Sequence, residues 1–136
     1  MTSSRDVPPA HETEPRETGD LLVTVNWRDR AAVLSVTGEI DLLTAPEFED
    51  IVSGIVREGP ALLVVDLRKV SFLSSAGLQV LAATHQRLGD RRLRVVSDAA
   101  VTTRPFTTTG LDEWIGLFPS LEKALTAPSG EGGKAP

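Results

Sequence analysis

Two adjacent hydroxyls, Ser74 and Ser75, close the stretch Val64-Val65-Asp66-Leu67-Arg68-Lys69-Val70-Ser71-Phe72-Leu73-Ser74-Ser75-Ala76-Gly77-Leu78. It reads as a buried strand, a short loop, and two serines with a glycine at the start of a helix. A helix N-terminus presents unpaired backbone N–H groups and a partial positive charge, so a hydroxyl placed there is suited to carrying a phosphate. The plainer reading is a cap, since serine is a favoured N-cap residue. Gly77 weighs against a cap alone, because glycine in a first helical turn costs about 1 kcal/mol relative to alanine. Something should need bare backbone there, either a partner or a neighbouring loop.

The same order of strand, tight turn, serine and helix is the setting of a hydrolase nucleophile elbow. That elbow requires glycine two residues before the nucleophile, and Leu73 stands there. A base is also missing: His11 lies in the N-terminal tail, and His85 is about ten residues along the helix from Ser75, roughly 15 Å at 1.5 Å per residue. His85 reads as a helix-face residue with a satisfied hydrogen bond. No catalytic residue is assigned and the chain is read as a non-enzyme.

Metal chemistry has little to work with. The chain has no cysteine and two histidines, and no Asp/Glu cluster shows ligand spacing, so neither a metal site nor a cofactor is expected. Gly130-Glu131-Gly132-Gly133-Lys134 lacks the hydroxyl residue and the flanking strand and helix of a phosphate loop and reads as linker. Arg87, Arg91, Arg92 and Arg94 form a basic cluster, read as a solvated face with an acidic partner contact as the alternative. In Thr37-Gly38-Glu39-Ile40-Asp41, the glycine permits a bend and the acids are either solvated loop groups or part of a partner-facing loop beside the serines.

These side chains must be positioned by a 136-residue chain, enough for one domain with its own core. Net charge is −5, which argues against nucleic acid as the main partner. Residues 1–20 hold five acidic and two basic residues, so most of the imbalance sits in the tail. The longest apolar run, Ala61 to Val65, is far too short to span a bilayer, and no signal peptide is seen near the N-terminus; a cytoplasmic protein without a membrane partner is expected. Residues 1–19 and 127–136 read as disordered tails.

Between the tails, Leu22 to Trp27 and Ala31 to Thr37 predict a hairpin, with Val23, Val25 and Trp27 on one face. Thr44-Ala45-Pro46-Glu47 predicts a capping box opening a helix with an apolar stripe at Phe48, Ile51, Val52, Ile55 and Val56. Ala61 to Leu67 follows as a strand, then the serine helix ending at Gly89, then a strand from Arg91 to Ser97. Asp98 is placed to cap a third helix, weakly specified because of Pro105. Trp114 to Phe118 reads as a last short strand and residues 119–125 as a closing helix. Strands separated by single helices imply parallel neighbours, hence an α/β fold with a mixed central sheet of about four to five strands and helices packed on it.

Four blocks give the chain a resemblance to a known family: Gly38-Glu39-Ile40-Asp41; Asp66-Leu67 with Val70, Phe72 to Leu78; Thr109-Gly110-Leu111; and Phe118 to Leu125. Over residues 20–126 the chain resembles the anti-sigma factor antagonists (anti-anti-sigma factors), the bacterial branch of the STAS domains, which implies a STAS-type fold. The resemblance implies Ser75 as phosphoacceptor, with Ser74 standing where the family usually has aspartate and so a second candidate acceptor. It implies a partner surface at Gly38, Glu39, Asp41, Thr44, Ser74, Ser75, Ala76 and Gly77; Asp41, a carboxylate between an apolar strand and the Thr44 cap, is itself expected to contribute little to stability. It implies partner switching: the unphosphorylated form binds an anti-sigma factor, often a GHKL-type serine kinase, and frees a sigma factor; a serine phosphatase reverses the phosphorylation. The alternative is a non-catalytic STAS subunit of a larger signalling or transport assembly. Oligomeric state stays open.

Overall fold

A computed structural model describes residues 16–18 and 21–128. The strands are β1 (Arg16–Thr18), β2 (Leu21–Arg28), β3 (Ala31–Ile40), β4 (Leu62–Leu73), β5 (Leu93–Val96) and β6 (Gly116–Phe118). The helices are α1 (Ala45–Arg57), α2 (Ser75–Leu88), α3 (Ala100–Thr109) and α4 (Leu121–Thr126). The strands form one mixed sheet in sequence order, β1-β2-β3-β4-β5-β6. The first three are antiparallel neighbours, whereas β3 through β6 run parallel.

Each parallel connection steps one strand in the same direction, so the right-handed crossover rule sends α1, α2 and α3 to the same face. Burial agrees. Phe48 and Val52 of α1, Leu81 of α2 and Phe106 of α3 share one core with Leu34, Val65 and Val95 of the sheet. Because strand side chains alternate in direction, Val33, Val64 and Val96 point the other way. There they meet Phe118 and Ala124, with α4 covering that face. This two-sided burial accounts for the unbroken apolar run of β4.

The expected mixed sheet is present, with six strands instead of four to five. The addition is β1, which pairs with β2 through Arg16↔Val23 and so carries the folded part into the segment expected as tail; the rest of residues 1–19 lies outside the described residues. At the other end the domain runs on past residue 126: Ala127 packs against the α4 core and the Pro128 carbonyl accepts from Arg94. Residues 129–136 lie outside the described residues.

The two segments expected as loops, Gly38 to Ile40 and Arg68 to Leu73, are instead paired as the far ends of β3 and β4. Two register shifts let this happen, between Ser35 and Thr37 and between Gly38 and Glu39. Each gives β4 one residue more than β3, the mark of a β-bulge. Gly38 sits at the second shift with φ 115°, a backbone conformation that a side chain would strain. Beside the first shift Asp66 and Arg68 form a clasp, with the guanidinium donating to both carboxylate oxygens at 3.0 and 2.7 Å.

The basic cluster is solvated only in part: Arg87 is exposed, Arg91 and Arg92 are half-buried and Arg94 is buried, and all four bond within the domain. Arg87 donates to Ser53 Oγ, Arg91 to the Glu113 and Trp114 carbonyls, Arg92 to the Leu88 and Pro60 carbonyls, and Arg94 to those of Ala124, Ala127 and Pro128. A guanidinium offers five donors in a rigid fork, and helix ends supply the carbonyls that need them. Asp98 does not cap α3 either. Ala99 is the cap position, and Ser97 Oγ bonds instead to the Thr102 and Thr103 hydroxyls. The helix passes through Pro105; the carbonyl it leaves unbonded belongs to Val101, a residue exposed to water.

Candidate functional site

The serine helix starts where β4 ends. Ser74 is its N-cap, accepting from the Gly77 N–H at 3.3 Å, and Ser75 is the first helical residue with its side chain exposed. The first turn of α2 carries no acidic residue, so a negative group on Ser75 Oγ meets the positive end of the helix without a competing carboxylate in that turn.

What binds the serines to the loop before α1 is main chain: the Ser74 N–H donates to the Ile40 carbonyl at 2.8 Å. Gly77 completes the junction. A Cβ there would run into the Ile40 side chain and the end of Leu73, so the bare backbone serves close approach by the chain's own β3 end.

The loop at residues 41–44 is tied by Asp41. Its Oδ1 accepts from the N–H groups of Leu43 and Thr44, both at 2.9 Å, and from the Thr44 hydroxyl at 3.1 Å. Thr44 Oγ1 also accepts from the Asp41 N–H and donates to the Glu39 carbonyl. The expected capping box is therefore absent as drawn: Thr44 makes no side-chain cap bond to α1, because its hydroxyl faces back into the loop. These contacts, led by the Thr44 N–H, hold the Asp41 carboxyl below its ordinary value of 3.8.

Asp41 is thus a structural group as well as a neighbour of the serines. Asp41→Asn is expected to lower stability near neutral pH. The sign follows from the lowered folded pKa: the ionised carboxylate's contribution is complete above about 3.8 and is lost as pH falls through the lower folded value. Denaturant curves of both proteins at pH 7 and near pH 3 check this; a gap that fails to narrow in acid would remove the carboxylate from the loop's support.

Of the eight expected partner-surface residues, Ser75 and Glu39 are exposed and Gly38, Asp41, Ser74 and Ala76 half-buried. Thr44 and Gly77 are buried and belong to the framework that shapes the others. Two features escaped sequence reasoning. Leu42 and Leu43, beside Asp41, are 77% and 86% exposed. On the other side of Ser75 lies a groove of about 480 Å³ between the end of β4, α2 and α3, lined by Ser75 itself with Phe72, Leu78, Val101, Arg104 and Pro105. The signal for it is an apolar Val101 one turn ahead of Pro105 and two ahead of Thr108, a stripe on α3 distinct from its buried Thr102 and Phe106.

His85 lies on α2 as expected, but its buried Nδ1 has no hydrogen-bond partner among the described residues. Among the described residues no three His, Cys, Asp or Glu side chains gather to hold a metal, and no helix is long and apolar enough to cross a membrane.

Comparison with known proteins gives a consistent result. Residues 23–124 match the STAS domain. The chain is 43% identical over 111 residues to the anti-sigma-F factor antagonist RsfB of Mycobacterium tuberculosis, covering 81% of this chain and 91% of that protein. An anti-sigma factor antagonist from Mycobacterium paratuberculosis superposes with a TM-score of 0.74 at 40% identity, over 88% of this chain and 96% of that one. The Bacillus cell fate determinant SpoIIAA, solved in its phosphorylated form, shares the fold at 18% identity with a TM-score of 0.59, over 76% and 96% of the two chains.

Proposed function

From the premise that this chain belongs to the STAS domain family, we propose that it is a cytoplasmic anti-sigma factor antagonist without catalytic activity, switched by phosphorylation at Ser75. In its unmodified form it binds an anti-sigma factor, a GHKL-type serine kinase, which then releases a sigma factor. The kinase moves the γ-phosphoryl group of a nucleoside triphosphate to Ser75 Oγ: an O–P bond forms, the β–γ bridge breaks, the diphosphate leaves, and the hydroxyl proton passes to the kinase. A serine phosphatase hydrolyses the ester with water and resets the switch.

The observation that carries this reading is the exposure of Ser75 at the first position of α2, with the capping role already filled by Ser74. The hydroxyl that is free to be modified is not the one holding the helix. A phosphate there adds about −1.5 to −2 charges to the contact surface, while the helix end offsets part of its cost within the domain. Folding persists and the interface is lost.

Ser75→Ala should accordingly change stability by no more than about 0.5 kcal/mol, less than loss of an N-cap would cost. It should bind the anti-sigma factor permanently. Unmodified, Ser75→Ala and Ser75→Glu proteins, used in parallel as bait in the native cytosol, test the proposal. An anti-sigma factor kept by the first two and missing with Ser75→Glu supports it. Equal recovery with all three contradicts it, and so does phosphate mapped only to Ser74 or to Thr107 to Thr109.

A further inference from the structure

The groove beside Ser75 has an apolar wall and a single charge. Phe72 is 47% and Val101 44% exposed, and both line the groove together with Leu78 and Pro105. Among the described residues Arg104 is the only charged one lining it. Its guanidinium is exposed and has no hydrogen-bond or ion-pair partner among the described residues, unlike Arg68, Arg87, Arg91, Arg92 and Arg94, each of which is engaged within the domain. The first turns of α2 and α3, which open onto this region, contain no acidic residue.

Charge complementarity therefore selects the occupant: an apolar segment that carries a carboxylate. Resting on the switch reading above, we propose that this groove receives a short acidic, apolar-sided segment of the anti-sigma factor, its carboxylate paired with Arg104, and that a phosphate on Ser75 takes Arg104 for itself. Ser75 and Arg104 line the same groove, one from α2 and one from α3. Both groups can pair bidentately with a guanidinium, but a phosphoserine brings about −1.5 to −2 charges and three acceptor oxygens, more than a carboxylate offers. Phosphorylation then acts twice, by repelling the incoming acid and by removing its counter-charge. Lysine at this position keeps the charge but not the planar fork.

The test uses the full chain and the purified anti-sigma factor recovered with the unmodified protein. Arg104→Glu should weaken binding roughly tenfold or more, as reversal of a paired interface charge does, with an unchanged thermal midpoint because the side chain is exposed. Val101→Asp should do the same, and Arg104→Lys should retain part of the affinity. In protein carrying phosphoserine at position 75, the Arg104 Nε–H resonance should shift and become protected from exchange with water.

Unchanged affinity in folded Arg104→Glu and Val101→Asp overturns the proposal. If that happens while Ser75→Glu still abolishes binding, the switch reading stands and only the groove is lost. If Ser75→Glu binds normally, the switch reading itself fails. A dimer that Arg104→Glu dissolves, or a groove that opens only when residues 1–15 are removed, would assign the groove to a second copy or to the chain's own tail and would also overturn the proposal.

Discussion

Arg94→Ala is expected to lower unfolding free energy by about 3 kcal/mol, more than any substitution at the exposed serines. Arg94 is 5% exposed, and its guanidinium donates to the carbonyls of Ala124, Ala127 and Pro128 at 2.7, 2.8 and 3.0 Å. It also lies over the Phe118 ring, 5.6 Å from the centroid, within the range of a cation–π contact. The carbonyls at the end of α4 have no further turn to bond to, so alanine leaves the buried Ala124 carbonyl and the more open Ala127 and Pro128 carbonyls without their donor. Because α4 is only six residues long, it has little intrinsic helical stability to fall back on and is held by its packing against Val33, Val64, Val96 and Phe118. Arg94→Lys should recover only part of the loss, since an ammonium lacks the rigid fork that spans three carbonyls. Chemical denaturation of the three proteins checks this; an Arg94→Ala midpoint within experimental error of wild type would show that α4 is held by its apolar contacts alone.

Gly77→Ala is expected to cost up to about 2 kcal/mol, against the usual preference of helices for alanine. Propensity alone favours alanine by about 1 kcal/mol, but the added methyl group enters the space of Ile40, itself fully buried, and overpacking costs about 1–3 kcal/mol. Gly54→Ala in α1 is the matched control. There the nearest heavy atom to a new Cβ is Arg57 Nη2 at 3.9 Å, an ordinary contact, so that substitution should stabilise by up to about 1 kcal/mol. Since Gly77 lets the first turn of α2 sit on the end of β3, its replacement should also displace Ser75 from the Asp41 loop and weaken partner binding. A Gly77→Ala protein as stable as the Gly54→Ala one would contradict this account of the junction.

Where each apolar position answers to one period, the fold is legible in the sequence. The stripe at Phe48, Ile51, Val52, Ile55 and Val56 predicts the inward face of α1; the first four are buried and Val56 is half-buried against the same core. The alternation at Val23, Val25 and Trp27 likewise places all three against the main core. Where tertiary pairing overrides local chemistry, the reading fails. Arg68, Lys69 and Ser71 read as loop, yet they stay in β4 because the bulged end of β3 supplies partners. Asp98 and Thr44 have the right side chains for caps, but Ala99 takes the cap position of α3, where Ser97 bonds the Thr102 hydroxyl, and Asp41 draws Thr44 back into its loop. The serine segment is legible as a helix N-terminus from Ser74, Ser75 and Gly77 alone. The groove is not, because it forms between α2 and α3 from residues 72 to 109, and no local period records how two helices meet. The arginines show the same limit: four adjacent charges read as one face, yet each reaches a different element.

The most direct measurement of the central claim is calorimetric titration of the anti-sigma factor with one preparation of this protein in three states. These are unmodified, stoichiometrically phosphorylated at Ser75, and phosphorylated then treated with a serine phosphatase. The account predicts firm binding in the first state, a loss of roughly a hundredfold or more in the second, and full recovery in the third, with the same thermal midpoint to within a few degrees throughout. Affinities equal to within about twofold before and after phosphorylation, in protein that remains folded, would contradict it.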